Sequence, residues 1–164
     1  MHSHAGAWER DLIEMDVDMA SKHALIIACS QYHNERLQQL PKTEADAAAM
    51  RDVLIDPKVC GFPREQVQLM FNEPVERVRI AIERFFLDKR PDDLLLFYFA
   101  GHGVTVGRHS SQLMLALNET DPDLKSTGIP ARVLRDEIEE SRSNRQVILL
   151  DCCNAAAFAG ARSG

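Results

Sequence analysis

The 164-residue chain has few aromatic residues, 6% of the total, and no long uninterrupted apolar run. No apolar stretch reaches the roughly 18 residues that a membrane-spanning helix requires. The chain also has no cluster of Lys and Arg, and its formal net charge is −6. An acidic chain without a basic patch is a poor candidate for binding the phosphate backbone of nucleic acids. A content of 45% hydrophobic and 27% charged residues is ordinary for one soluble globular domain.

Cysteine pairs with the spacing of metal or redox sites are also absent from the sequence. Cys29, Cys60, Cys152 and Cys153 form no CxxC pair, which leaves a zinc ribbon or a thioredoxin-like motif unsupported. Residues 1–21 are rich in Asp and Glu and lack the apolar segment of a secretory signal. We therefore expect a cytoplasmic protein with reduced thiols, in which residues 1–21 form a flexible lead-in.

Short apolar segments alternate with amphipathic segments from residue 22 onward. Nearly continuous apolar runs are typical of strands that are buried on both faces of a parallel sheet. The segments between them have the apolar spacing of helices, and Thr43 is the predicted N-cap of the first helix. This alternation predicts an α/β fold with a mostly parallel sheet. The predicted strands are His23–Ser30, Val67–Asn72, Asp93–Ala100 and Gln146–Leu150, with a short extra strand at Gln112–Asn118, and the predicted helices are Pro41–Leu54, Pro74–Leu87 and Pro130–Glu140.

Two reactive side chains follow predicted strands directly: His102 follows the strand that ends at Ala100, and Cys153 follows the last strand. Ligands of open parallel sheets bind beyond the carboxyl ends of the strands, so that the two side chains share one rim if their strands are neighbours. A Cys thiol needs a nearby imidazole to take its proton. Gly101 and Gly103 allow a sharp turn and a close approach to a substrate. The amides of Gly103 and Cys153 are then candidates for stabilising an oxyanion.

Each of these features also has a simpler interpretation. A single buried Cys after a strand is usually a small core residue, and a Gly-His-Gly segment is usually a turn. A dinucleotide site is disfavoured, because the segment after Gly103 lacks the third glycine and the following helix of that fingerprint. The joint placement of His102 and Cys153 at corresponding strand ends favours the catalytic interpretation.

The segments around these two residues resemble the two motifs of the caspase, metacaspase and bacterial caspase-like peptidases. Phe97–Gly103 (FYFAGHG) is similar to their histidine motif, and Leu149–Asn154 (LLDCCN) is similar to their cysteine motif. The resemblance covers residues 22–158 and implies a caspase-like three-layer sandwich, incomplete without the strands of a small subunit. It also implies a cysteine endopeptidase in which Cys153 attacks the peptide, His102 transfers the proton and a thioester forms. Cys152 is the alternative nucleophile, and otherwise would lie in the sheet packing.

The resemblance also bears on the P1 residue, the substrate residue just before the cleaved bond, which is acidic for some members of the family and basic for others. Members of the family that cleave after Asp carry an Arg before the first helix, where this chain has Leu40. Metacaspase-like members line the P1 pocket with carboxylates, and Asp46 and Asp151 match those positions. Two desolvated carboxylates favour Arg or Lys at P1. The simpler interpretation is that Asp46 is a first-turn residue stabilised by the helix dipole, and that Asp151 caps a turn.

Two departures from the family pattern concern the end of the chain. Ala155 and Ala156 stand where relatives commonly have Ser-Gly, and the sequence ends at Gly164, before a small-subunit region. We expect residues 22–158 to form the catalytic domain and residues 159–164 to form a tail or processing point. A small-subunit region or another chain is expected to complete the sheet. The same departures motivate the alternative function, a caspase-like pseudoprotease that acts as an interaction or signalling module.

The expected partner is a peptide or protein substrate, with neither nucleic acid nor membrane. Cysteine peptidase chemistry requires no cofactor or metal. Some metacaspase-like enzymes need calcium, and acidic residues are available for such a site at Glu119, Asp121 and Asp123. Their spacing lacks the density of a dedicated calcium loop, and the sequence therefore supports no metal site.

Overall fold

A four-stranded parallel sheet forms the centre of the domain in a computed structural model, which describes residues 20–107 and 112–153. Its strand order is β2-β1-β3-β7, and a smaller antiparallel sheet has the order β4-β5-β6. The α/β fold with a mostly parallel sheet is thereby confirmed. The strands are β1 (Lys22–Ala28), β2 (Val67–Phe71), β3 (Leu94–Ala100), β4 (Gly103–Val106), β5 (Gln112–Leu115), β6 (Ile129–Pro130) and β7 (Arg145–Asp151).

Helices cover both faces of the large sheet and give the domain three layers. On one face α1 packs through Ala47 and Leu54 against side chains of β1 and β3 that include Ile26 and Tyr98. On the other face α2 and α3 enclose the larger core, in which Phe97 and Phe99 of β3 are almost fully buried. Each central strand therefore has apolar side chains in both directions, which explains its continuous apolar sequence. The helices are α1 (Thr43–Ile55), α2 (Val75–Phe86) and α3 (Ala131–Glu140), with short 3-10 turns at Arg64–Gln66 and Lys125–Thr127.

The predicted elements differ from the observed ones mainly at their ends. Thr43 was predicted to cap α1, but it is the first residue of that helix and is buried, while Lys42 occupies the cap position without a side-chain hydrogen bond. Pro130 was predicted inside α3, but it precedes the helix and pairs with Met114 in the small sheet. Of the predicted lead-in at residues 1–21, residues 1–19 lie outside the described residues, and the Ser21 amide donates to Asp93 Oδ1 at 2.8 Å. The predicted tail at residues 159–164 lies outside the described residues.

The register between neighbouring strands determines what meets at the rim of the large sheet. Ala100 of β3 is paired with Ala28 of β1 and with Asp151 of β7. β3 and β7 are therefore neighbours, which is the condition for His102 and Cys153 to share one rim. His102 follows Ala100 by two residues and Cys153 follows Asp151 by two residues, so that both lie just beyond the carboxyl ends of neighbouring strands.

β7 is the outer strand of the large sheet within the described residues, where it pairs only with β3. Its residues alternate in exposure: Val147 and Leu149 are 39% and 38% exposed, while Ile148 and Leu150 pack against the core of α2 and α3. An apolar strand with an unpaired edge is normally covered by another segment. No helix in the described part of the chain combines the length and apolar character needed to span a membrane.

Candidate active site

An open cleft of about 380 Å³ lies beyond the carboxyl ends of β3 and β7. It brings together four of the residues singled out from the sequence, namely the proposed dyad and the two proposed pocket carboxylates. The start of α1 forms its opposite wall. The lining residues are Leu40, Thr43, Asp46, Ala100, Gly101, His102, Asp151, Cys152 and Cys153.

The imidazole of His102 is held by a main-chain carbonyl. Its Nε2 atom lies 2.7 Å from the carbonyl oxygen of Gln38. Because a carbonyl oxygen only accepts hydrogen bonds, Nε2 must be the protonated nitrogen in this contact. The neutral ring then carries its free lone pair on Nδ1, which makes Nδ1 the atom available to accept a proton. Gln38 has no motif around it, and no sequence pattern marks it as part of the site.

Tyr32 supports the same histidine from the side of the core. Its hydroxyl accepts a hydrogen bond from the His102 amide at 2.9 Å and donates one to the Cys29 carbonyl at 3.0 Å. The two rings lie 4.8 Å apart between centroids, at 50° to each other. Tyr32 is only 4% exposed, and burial raises its pKa, so that the hydroxyl remains a donor at all ordinary pH values. Tyr32 was also missed, because no local pattern connects it to a histidine 70 residues later.

Gly101 and Gly103 are required by close packing, although a sharp turn was predicted. Neither residue has a positive φ. A Cβ atom on Gly101 would come within 2.9 Å of the Tyr32 hydroxyl and of the Phe99 ring. A Cβ atom on Gly103 would collide with the Cys153 carbonyl oxygen and lie 3.1 Å from Cys152 Sγ. Both glycines thus allow close approach, and for Gly103 the approaching group is the cysteine loop itself.

The two adjacent cysteines have different environments. Cys153 is exposed in the cleft, whereas Cys152 is half-buried and packs against the larger core. Burial, and to a lesser extent the charges of Cys153 and Asp151, raises the pKa of Cys152 to about 11. Since the thiolate is the reactive form, these environments favour Cys153 as the nucleophile. The predicted placement of Cys152 against the sheet packing agrees with this arrangement.

Asp46 and Asp151 line the cleft from opposite sides. Asp46 lies in the first turn of α1, and Asp151 ends β7, where the Tyr98 hydroxyl approaches its Oδ2 atom at 3.4 Å. Burial, and then the Asp151 carboxylate, raises the pKa of Tyr98 to about 12. The expectation that both carboxylates are desolvated is wrong for the free cleft, because both residues are exposed. The described lining contains no Lys or Arg, and Leu40 occupies the wall where an acid-binding Arg was considered.

A model of the caspase domain family matches residues 21–163. The chain belongs to the caspase domain family. The resemblance inferred from the histidine and cysteine motifs is thereby confirmed at the level of the family. A comparison with curated proteins gave no significant match.

A solved structure has a similar fold. The crystal structure of a protein from Geobacter sulfurreducens superposes with a TM-score of 0.62 at 16% identity. The superposition covers 81% of this chain and 50% of that protein, so that the chain spans about half of that protein's length. At this level of identity, the comparison shows a shared fold.

Two of the acidic residues considered for calcium binding form ion pairs with an arginine of the same chain. Arg36 contacts Asp121 at 3.2 Å and Asp123 at 2.9 Å, and all three side chains are substantially exposed. Among the described residues, no group of three or more His, Cys, Asp and Glu side chains is arranged to hold a metal ion. Asp121 and Asp123, two of the three acidic residues considered for calcium, thus pair with Arg36 in the described structure.

We predict that iodoacetamide near neutral pH alkylates Cys153 of the caspase domain well before Cys152. The raised pKa, about 11, keeps Cys152 almost entirely protonated near neutrality, and its alkylation should accelerate only as the pH rises toward that value. Tandem mass spectrometry of the peptide that contains both cysteines would separate the two sites. Cys152→Ser should leave the rate at Cys153 nearly unchanged. Faster alkylation of Cys152 in the wild type would contradict the prediction.

Proposed function

We propose that the chain is a cysteine endopeptidase in which Cys153 is the nucleophile and His102 is the general base and acid. The observation that carries the proposal is the shared cleft: both residues line it, each two positions beyond the paired residues Ala100 and Asp151. The exposure of Cys153 and the burial of Cys152 support this choice of nucleophile.

The proposed reaction begins with proton transfer from the Cys153 thiol to Nδ1 of His102. The Gln38 carbonyl holds the Nε2 proton, and this contact stabilises the imidazolium that forms. The sulfur then attacks the carbonyl carbon of the scissile peptide, and its negative charge passes to the carbonyl oxygen. The amides of Gly103 and Cys153, whose backbones lie against each other, are the proposed donors to this oxyanion.

Collapse of this intermediate breaks the C–N bond, and the proton on Nδ1 leaves with the amine. The acyl group remains on Cys153 as a thioester. In the second half of the reaction His102 takes a proton from water at Nδ1, the resulting hydroxide attacks the thioester, and the proton returns to the sulfur. No redox change occurs, and the chemistry uses only groups of the chain, the substrate and water.

The proposed P1 preference is for Arg or Lys. Asp46 and Asp151 give the described lining two carboxylates, and Leu40 gives it an apolar wall along which a long side chain can lie. The pocket is hydrated in the free protein, but a bound side chain displaces water and strengthens the ion pair. An Asp side chain at the same place would face two like charges and find no cation among the described lining residues.

The proposed structural partner is a small-subunit region or another chain that pairs with β7. The exposed Val147 and Leu149, on the outer strand of the described sheet, provide an apolar face next to an unpaired edge. Covering this face would bury apolar area and satisfy the backbone groups of β7 that have no strand partner among the described residues. The partner would also fix the loop that follows β7, which carries Cys153.

We predict that Cys153→Ala and His102→Ala each lower peptide turnover by at least about 1,000-fold, because each removes one member of a unit that acts together. Turnover of a fluorogenic peptide with Arg at P1 gives the rate, and thermal unfolding reports on the fold. Cys152→Ala is the matched control. It should retain turnover and lose about 1 kcal/mol of stability.

Two outcomes would contradict this assignment. If Cys152→Ala is inactive while Cys153→Ala turns over, the nucleophile is misassigned. If the assembled wild-type protein neither cleaves peptides nor reacts at Cys153 with an active-site electrophile, the pseudoprotease function replaces the enzymatic one.

We predict that Asp151→Asn lowers kcat/KM for an Arg substrate by roughly tenfold, because a hydrogen bond to a charged group is worth about 1.5 kcal/mol or more. Asp46→Asn should have a similar or smaller effect, since Asp46 is exposed at the start of α1. Paired assays with Arg, Lys and Asp at P1 would measure the preference. Efficient cleavage after Asp, or an unchanged P1 preference in Asp151→Asn, would show that these carboxylates do not form the P1 pocket. Neither result would contradict the roles proposed for His102 and Cys153.

We predict that the 164-residue chain self-associates through β7 when its partner is absent. Leu149→Lys places a charge on the exposed apolar face and should weaken this association by at least roughly tenfold. Val53→Lys is the control, because Val53 is 47% exposed on α1. Sedimentation velocity over a range of concentrations would give the association constants. A wild-type chain that remains a monodisperse, active monomer would refute the prediction.

A further inference from the structure

Two hydrogen bonds join the side chain of Gln39 to the backbone of Tyr32. The Tyr32 amide donates to Gln39 Oε1 at 2.9 Å, and Gln39 Nε2 donates to the Tyr32 carbonyl at 2.8 Å. The carboxamide thus uses both its acceptor and its donor against one residue, since Asn and Gln side chains carry a carbonyl oxygen and an NH₂ group side by side. This pair of bonds, called the Gln39 clamp below, closes the loop between β1 and α1.

The Gln39 clamp lies directly beside the carbonyl that holds the imidazole. Gln38 precedes Gln39, and its carbonyl oxygen accepts the His102 Nε2 hydrogen bond at 2.7 Å. On the other side, the Leu40 amide donates to the Ser30 carbonyl at 2.8 Å. The peptide group of Gln38 is therefore fixed by its C-terminal neighbours, and its own side chain is not needed for the contact.

Tyr32 provides a second link between the Gln39 clamp and His102, in addition to the Gln38 carbonyl. Its backbone is held by Gln39, its hydroxyl accepts from the His102 amide at 2.9 Å, and its ring lies against the imidazole. One loop thus determines the position of the His102 backbone, the tilt of its ring and the partner of its Nε2 atom.

We infer that Gln39 and Tyr32 are positioning residues that select the Nε2-protonated form of His102 and thereby leave Nδ1 facing the cleft as the base. The role of Nδ1 as the base rests on the proposed function. The selection of one tautomer does not, because it follows from the hydrogen bonds alone.

The ion pairs of the same loop are the weaker candidate for this role. Arg36 reaches Asp121 and Asp123, but its side chain is 55% exposed and theirs are 42% and 74% exposed. Exposed pairs of this kind contribute little to the order of a loop, because water competes for both partners. Gln39 is also an exposed residue, but its two hydrogen bonds are partly buried and are made to the backbone of a buried tyrosine.

Gln39→Met in the full 164-residue chain removes both hydrogen bonds and keeps the length of the side chain. Nitrogen-15 NMR of histidine-labelled protein would give the tautomer of His102, and iodoacetamide would give the alkylation rate of Cys153. We expect the Nε2-protonated form in the wild type and a mixture of tautomers in Gln39→Met. The alkylation rate should fall by about tenfold, because two neutral hydrogen bonds that hold the reactive geometry are lost.

Gln31→Met is the matched control, since Gln31 is exposed and precedes Tyr32 on the same loop, and it should change neither measurement. Gln39→Glu keeps the acceptor for the Tyr32 amide and loses the donor, so that an intermediate effect is expected even if Gln39→Met folds poorly. An unchanged tautomer and alkylation rate in both Gln39 variants would overturn the inference, as would an Nδ1-protonated ring in the wild type. If the tautomer changes as expected and the wild type cleaves no peptide, the positioning role stands and the proposed peptidase activity fails.

Discussion

The register between β3 and β7 is the constraint on which the candidate site depends. Ala100 pairs with Asp151, and His102 and Cys153, which each follow two residues later, line one cleft beyond the rim. Side chains of a strand alternate between the two faces of a sheet, and a slip by one residue would therefore exchange Cys152 and Cys153. The packing resists such a slip, because Ile148 and Leu150 lie against the larger core while Val147 and Leu149 are exposed. Both cysteines line the cleft, and the core of the domain thus determines that Cys152 is the one that packs against the interior.

The small sheet supplies a second constraint, through the backbone at Gly103. This residue begins β4, and the Cys153 carbonyl lies where any Cβ atom would be placed. A larger residue would push the end of β7 away from β4, and with it the cysteine loop. Close packing of two chain segments, and not an unusual backbone dihedral angle, is therefore the reason for glycine at this position. The same approach places the backbone of Cys153 against that of Gly103, the two residues whose amides are proposed to stabilise the oxyanion.

The parts that could be predicted from the sequence are those that depend on local patterns. The continuous apolar segments of β1 and β3 reflect burial on both faces, and residues directly after such strands are expected at the carboxyl rim. The contacts of Tyr32 and Gln38 could not be predicted in this way, because they depend on how the loop before α1 folds over His102. Thr43 shows a related limit: its side chain suits a cap, but it is buried inside the first turn of the helix. Exposure of Asp46 and Asp151 likewise depends on the shape of the cleft.

The proposed pocket and the proposed nucleophile are also linked by charge. Asp151 contributes to the raised pKa of Cys152, because a carboxylate opposes the formation of a thiolate nearby. Asp151 also lies two residues before Cys153, so that the proposed pocket and the proposed nucleophile adjoin in the chain. Under the proposed function, a basic P1 side chain paired with Asp151 would offset the charge of that carboxylate while the substrate is bound. The groups that select the substrate would thus also set the charge around the reacting residues.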